Sequence, residues 1–367
     1  MCAFVEKKIG TRQLGKNGPT VSEIGLGCMG MSEFYGSISE EQNFNTLQVA
    51  LDLGCNFFDT ASIYGLGENE KLLGRFFVNK DRASFFLATK CGVKRDPNDL
   101  AKRIIDNSPE HIKQSCQESL DRLKMNYIDL YYIHRIEGQG EKIKESMRAM
   151  VNLLQEGKIR YVGLSEPSEK IIREANTALL EYTGGQHKLT AVQTEYSLMS
   201  RTPEIDGAIA ACRELNIGFV PYAPLGRQFL TAPNLSSEDY PVGDFRKVLP
   251  RFQLENAEHN QKIVSQISKM AEEKGCTTAQ LSLAWVLAQD KYIVPIPGTK
   301  RVKYLKENLQ ATSIALSPAD LTRLDKIAPI GAFRGTRYTK DLMKATNLKT
   351  EEEVMRDKHF SQSEEDL

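Results

Sequence analysis

The chain has 367 residues, 41% of them hydrophobic and 26% charged, with 48 basic and 48 acidic side chains. That balance is typical of a globular protein with a buried core, and zero net charge argues against a dedicated nucleic-acid binder, which would carry a basic face. No apolar run approaches the ~20 residues that cross a bilayer, and MCAFVEKKIG lacks the apolar stretch of a signal peptide, so a cytoplasmic protein is expected. Seven cysteines (Cys2, Cys28, Cys55, Cys91, Cys116, Cys212, Cys276) are scattered with no C-x-x-C pair. They read as reduced thiols rather than a disulfide framework or a metal site.

The opening stretch KKIGTRQLGKNGPTVSEIGLG reads as two short strands around Gly15 to Gly18, with Asn17-Gly18 as the turn because both residues tolerate positive φ. Strand-like runs then follow at EIGLGCM, NFFDTA, FFLATK, IDLYYIH, YVGLS, AVQTEY, GFVPYAP and IVPIPG. Helical patterns separate them: SEEQNFNTLQVALDL, ENEKLLGRFF, SPEHIKQSCQESLDRLK, EKIKESMRAMVNLLQEG, SEKIIREANTALLEY, PEIDGAIAACREL, a long stretch from Leu254 to Gln289, and RVKYLKENL. Ser108-Pro109-Glu110 and Ser39-Glu40-Glu41-Gln42 are helix-start signals, and Gly54, Gly157 and Gly218 suit left-handed helix ends or the turn into the next strand.

Strands and helices alternating in eight units predict an α/β fold, the (β/α)8 TIM barrel, with the hairpin closing its bottom. A doubly wound open sheet is the rival, but the units are nearly equal and no Pro-, Ser- or charge-rich linker divides them. One barrel domain is expected over residues 1–335, with a C-terminal tail at 336–367 whose acidic end, SQSEEDL, is expected to be disordered. Residues 226–253, with Pro233, Pro241 and Pro250, read as a long loop, and loops of that length inside a domain usually serve function.

Gly25-Leu26-Gly27-Cys28-Met29-Gly30 matches the G-x-G-x-x-G dinucleotide fingerprint, but that motif must turn directly into a helix, and MSEFYGS intervenes. These glycines are expected instead to let backbone approach a ligand. The sharper signal is Asp59, Tyr64, Lys90 and His134, each at or just past the end of a strand-like run. In a parallel α/β fold those ends share one side, so a carboxylate, a phenol, an ammonium and an imidazole can converge there. The bland alternative is a helix cap, a packed ring, a snorkelling lysine and a core histidine. No metal-ligand cluster is evident.

FFDTASIYGLGENEKLLG, LATK, DLYYIHR, EGKIRYVGLSE, QTEYSL, PYAPLGR and PGTKRVKYLKENL resemble the aldo-keto reductases, in the branch of longer bacterial, fungal and plant members, over residues 8–330. The resemblance implies NADPH-dependent reduction of an aldehyde or ketone, with pyridoxal-type or other small aldehydes as candidates. It makes Tyr64 the general acid, its pKa lowered by Lys90, with Asp59 holding Lys90 and His134 positioning the carbonyl. It further implies that Ser165 and Gln193 hold the nicotinamide carboxamide and that Tyr222 stacks on the ring. Where relatives carry Asn after that serine, this chain has Glu166. Leu225, Gly226 and Arg227 are implied as a pyrophosphate clamp. Gly298, Thr299, Lys300 and Arg301 would take the 2′-phosphate of NADP, and Glu307 and Asn308 the adenine. Tyr304 stands where many relatives carry a phosphate-gripping Arg.

Two bland readings stay open: strand packing for Tyr222, and a solvated helix face for the basic run. Met29, Phe34, Tyr35 and Ile63 are candidate pocket residues, and Trp285 a core residue. The expected partner is a small-molecule carbonyl, with no nucleic acid and no membrane, in a monomer or weak homo-oligomer. A cofactor-binding redox sensor with little turnover and an NAD-dependent alcohol dehydrogenase are the competing readings.

Overall fold

The computed structural model describes residues 8–33, 39–96, 102–231, 237–240, 243–344, 346 and 348–357. Its first element is the hairpin of β1 (Thr11–Gln13) and β2 (Thr20–Ser22), paired antiparallel. Asn17-Gly18 does not form a two-residue turn. The left-handed residues are Gly15 (φ 77°) and Asn17 (φ 63°), and the Leu14 N–H donates to the Pro19 carbonyl across a longer loop. Gly18 supplies room instead, since a Cβ there would lie 1.8 Å from the Leu14 carbonyl oxygen. Leu14, whose place two residues after Arg12 puts it on the face of Val21, points with it into the base of the barrel, where both are fully buried.

Among the described residues, seven parallel strands form the wall: β3 (Leu26–Gly27), β4 (Phe57–Asp59), β5 (Phe86–Cys91), β8 (Ile128–Ile133), β9 (Ile159–Ser165), β10 (Ala191–Glu195) and β11 (Gly218–Tyr222), neighbours in that order. Between β5 and β8 lies a small antiparallel ribbon, β6 (Val93–Arg95) with β7 (Arg103–Ile105), that no pattern in the sequence announced. The eighth predicted strand, IVPIPG, fills the gap between β11 and β3 without becoming a regular strand. Val294 and Ile296 donate to the Phe219 and Pro221 carbonyls, while the Pro295 and Pro297 carbonyls accept from Gly25 and Gly27. Proline has no N–H, so the side facing β3 carries only half a ladder.

The helices are α1 (Glu40–Asp52), α2 (Glu68–Phe77), α3 (Pro109–Leu123), α4 (Ile143–Gln155), α5 (Glu169–Tyr182), α6 (Ala208–Leu215), α7 (Leu254–Glu273), α8 (Thr278–Ala288), α9 (Val302–Gln310), α10 (Pro318–Ile327) and α11 (Lys340–Lys344). Ser39 and Ser108 cap α1 and α3 through their side chains. Gly54 and Gly157 are left-handed, whereas α6 ends on left-handed Asn216 and Gly218 opens β11. The long pattern from Leu254 to Gln289 breaks in two at left-handed Gly275, after which Thr277 and Gln280 form a capping box for α8. Residues 226–253 contain one-turn helices at Gly226–Gln228, Phe245–Val248 and Pro250–Phe252; Pro233 and Pro241 lie outside the described residues. No helix among the described residues is long and apolar enough to cross a membrane.

Strand alternation sorts the side chains. Phe57, Phe86, Ala88, Leu130, Tyr132, Ala191 and Val220 fill the barrel interior, while Phe58, Leu87, Tyr131, Ile133 and Val192 pack outward under the helices. Continuing the inward register by two residues reaches Asp59, Lys90, His134, Gln193 and Tyr222.

Gly25 and Gly27 serve closure of this wall rather than ligand approach alone. A Cβ on Gly25 would meet Phe57 and Ile296 side chains below 3.0 Å, and one on Gly27 would lie 2.9 Å from the Ile296 carbonyl oxygen. Backbone cannot step aside cheaply, so Gly27→Ala is expected to destabilise by about 1–3 kcal/mol. A lowered urea midpoint with unchanged slope is the readout; an unshifted midpoint would show the seam to be loose.

Candidate active site

Lys90, at the inner end of β5, is wholly buried. Its ammonium donates to Asp59 Oδ1 at 2.5 Å and to the Thr60 carbonyl at 2.7 Å, and Asp59 Oδ2 accepts from Gln193 Nε2 at 2.8 Å. Tyr64 lies in the turn after β4, its N–H bonded to the Ala61 carbonyl. That turn holds the phenol ring 5.2 Å from the Lys90 ammonium and edge-on to the His134 ring, with centroids 5.8 Å apart. The four residues thus form one contiguous cluster contributed by three strands.

Their charges are shifted by the dry setting. Burial alone would lower Lys90, but Asp59 and the phenol outweigh it and hold the ammonium above its ordinary pKa. For Tyr64 the balance falls the other way. Burial raises the phenol, and Lys90 pulls it back without cancelling that rise. Lys90 thus acts in the expected sense, but the net shift of Tyr64 is upward, because desolvation of a phenolate exceeds what one ammonium, already shared with Asp59, returns. His134 is driven well below its ordinary value, first by burial and then by Arg135 and Lys90, so the imidazole is neutral. Its Nδ1 is buried with no hydrogen-bond partner among the described residues.

Asp59, Tyr64 and His134 line a cavity of about 990 Å³ at the C-terminal ends of the strands. That is the upper end of the ~300–1,000 Å³ of ligand pockets, room for an extended ligand as well as a small one. Ser165, Gln193, Tyr222, Leu225 and Arg227 line its wall on one side, and Gly298, Thr299, Lys300, Arg301, Glu307 and Asn308 on another. Gly226, buried and left-handed at φ 56°, makes the turn between Leu225 and Arg227. Lys300 and Arg301 precede α9, and burial with Arg301 as neighbour lowers the Lys300 pKa, as expected where cations are gathered. Thr299 Oγ1 accepts the Arg301 N–H at 3.1 Å. Met29 and Ile63 also line the cavity, while Phe34 and Tyr35 lie outside the described residues. Trp285 is fully buried in the outer core.

The model of the aldo/keto reductase family matches residues 23–329. The chain belongs to the aldo-keto reductase family. It is accordingly an oxidoreductase of the carbonyl–alcohol couple. The reductase is 44% identical over 334 residues to a Schizosaccharomyces pombe protein named aldo-keto reductase yakc with NADP(+), covering 90% of this chain and 94% of the relative. Over 332 residues it is 40% identical to a probable aldo-keto reductase 1 of Glycine max, covering 90% and 92%. A glycerol dehydrogenase from Gluconobacter oxydans superposes with a TM-score of 0.76 at 27% identity over 86% of this chain and 94% of its own. A thermostable aldo-keto reductase in complex with epalrestat gives 0.68 at 27% identity, covering 87% of this chain and all of that one.

The reductase also builds its site from residues that sequence reading passed over. Arg337, from the segment after α10, forms a buried two-point ion pair with Glu166, one arm at 2.9 Å. Tyr338 places its hydroxyl 3.0 Å from that of Tyr222. Glu195 pairs with Arg227 at 2.8 Å and lies 3.7 Å from Arg251. Arg135 donates to the His134 carbonyl at 2.8 Å and to Ser165 Oγ at 3.3 Å. Glu166, standing where relatives carry Asn, was the signal the sequence offered here; Arg337 and Tyr338 lie in a basic run, RGTRYTK, whose place over the barrel the sequence does not give.

Proposed function

We propose that this reductase converts aldehydes or ketones to alcohols with NADPH, on the Asp59–Tyr64–Lys90–His134 cluster. The observation that carries the reading is a phenol that keeps its proton, beside a buried ammonium, at the wall of a cavity with a neutral imidazole. When bound, NADPH supplies the hydride. Every other requirement falls to the chain. Neutral His134 donates a hydrogen bond to the carbonyl oxygen and orients it. Tyr64 delivers a proton to that oxygen as negative charge grows on it, and Lys90 stabilises the phenolate left behind. Asp59 keeps Lys90 charged and in place, and Gln193 ties Asp59 to the cofactor wall.

The chemistry of the wall fits a dinucleotide phosphate. Ser165 and Gln193 would hold the carboxamide, Tyr222 the ring face, and the Leu225–Gly226–Arg227 turn the pyrophosphate. Gly298, Thr299, Lys300 and Arg301 would take the 2′-phosphate, with Glu307 and Asn308 at the adenine. The yeast relative's name, which carries NADP(+), supports that choice. Small aldehydes of the pyridoxal type are the proposed substrates.

Loss of NADPH absorbance with a panel of aldehydes, pyridoxal included, tests the reading. Turnover on the panel supports a reductase; tight NADPH binding with no turnover would replace it with a cofactor sensor. Replacing Lys300 and Arg301 together with methionine is expected to raise the KM for NADPH about 10–100-fold, the worth of hydrogen bonds to a charged group. The KM for NADH should hardly move. Equal losses with both cofactors would remove the 2′-phosphate from this position.

A further inference from the structure

Behind the wall formed by Ser165, Tyr222 and Tyr338 lies the Glu166–Arg337 pair, and the reading of that wall as the nicotinamide subsite is the proposal just made. Both side chains are withdrawn from solvent, at 0% and 11% exposure. Glu166 immediately follows Ser165, and its Oε1 also accepts the Glu195 N–H at 3.0 Å. Arg337 reaches the Tyr222 hydroxyl at 3.3 Å with the same arm that grips Glu166. The segment carrying Arg337 is itself anchored, because Arg251 Nε donates to the Gly335 carbonyl at 3.1 Å and Tyr338 meets Tyr222. A carboxylate and its counter-ion are therefore built as a unit one residue away from the group assigned to the carboxamide.

Reduction turns a neutral dihydronicotinamide into a cationic nicotinamide, with the hydride going to the carbonyl carbon and a proton to its oxygen. Charge fixed behind the ring weighs on that change directly, since a lone carboxylate favours the cationic form and a lone guanidinium disfavours it. We infer that Arg337 is a positioning residue of the C-terminal segment that neutralises Glu166 behind the nicotinamide subsite, and so sets the relative affinity of the site for NADPH and NADP+.

The environment of Glu166 supports this. Burial would raise its carboxyl, but Arg337 first, then Arg135 and the Glu195 N–H, hold it down at about 2. Asp206 and Tyr222 also face it, and Glu195 is itself engaged by Arg227 and Arg251. With Arg337 gone, Arg135 and the Glu195 N–H remain to keep Glu166 ionised at neutral pH, now without its main counter-ion.

The test is the ratio of dissociation constants for NADP+ and NADPH, by quenching of protein fluorescence at pH 7.5, in the full chain. Arg337→Met is expected to shift the ratio on the order of tenfold toward NADP+, the effect of one charge across a cavity wall at an effective dielectric of ~20. Glu166→Gln should shift it in the opposite sense, and Glu166→Gln with Arg337→Met should restore the wild-type ratio. A purely structural role would weaken both forms alike, and that outcome overturns the inference. If Arg337→Met fails to fold, Glu166→Gln alone still gives the sign, and an unmoved ratio there rejects it. Failure of the wild type to bind either form would instead remove the nicotinamide reading on which it rests.

Discussion

Tyr64→Phe is expected to lower kcat for aldehyde reduction by about 10²–10⁴-fold, the usual worth of a positioned general acid. The substitution keeps the ring that packs edge-on against His134 and deletes only the hydroxyl, so NADPH affinity should stay within about twofold. The pH profile provides an independent check. Because burial raises the phenol, Tyr64 keeps its proton through neutral pH, and wild-type reduction should fall only above about pH 10. Oxidation of the alcohol needs the phenolate and should rise with pH instead. With His134 neutral throughout, no inflection near its ordinary pKa is expected in either direction. Activity in Tyr64→Phe within tenfold of wild type would transfer the acid role to another group, with His134 the first to examine.

Lys90→Met has the second large effect, because it strikes stability and catalysis together. Asp59 would be left buried with a hydrogen bond from Gln193 but no counter-ion, a situation that costs about 3–5 kcal/mol when one partner of a buried pair is removed. Thermal or urea unfolding should show the loss. The wild-type contribution is itself pH-dependent in a definite sense. Lys90 has a folded pKa raised above its ordinary value, so its stabilisation is complete at neutral pH. That stabilisation disappears as pH climbs from about 10.4 through the folded value. Combining Lys90→Met with Asp59→Asn removes both charges and should recover much of the stability without recovering turnover. Recovery of both would mean that the pair serves the fold alone; recovery of neither would mean that the loss lies in packing rather than in unpaired charge.

The strand ends were legible because their information is local. Runs such as FFLATK and IDLYYIH announce buried strands, and a period of two then decides that Lys90 faces the same way as Phe86 and Ala88, and His134 the same way as Leu130 and Tyr132. Alternation of strand and helix was enough to predict a barrel, since parallel neighbours need helical crossovers and the units had no break. Local signals also had limits. Asn17-Gly18 promised a two-residue turn, yet the chain turns through left-handed Gly15 and Asn17, with Gly18 pressed against the Leu14 carbonyl where no Cβ fits. IVPIPG promised a strand, but Pro295 and Pro297 withhold the N–H groups that a full ladder needs.

By itself, then, the amino-acid sequence determined the alternating strand and helix units, the placing of Asp59, Tyr64, Lys90 and His134 at or just past strand ends, and so the chemical types that meet there; which face of each strand turns inward is decided by the closed wall. Only the tertiary structure decided the charge balance there. The phenol of Tyr64 is raised rather than lowered because desolvation depends on how completely the surrounding chain excludes water, which no spacing encodes. Arg337 finds Glu166 from 171 residues away, and Tyr338 finds Tyr222 from 116. Contacts at that separation are set by where the segment after α10 returns over the barrel, and neither periodicity nor propensity carries that path.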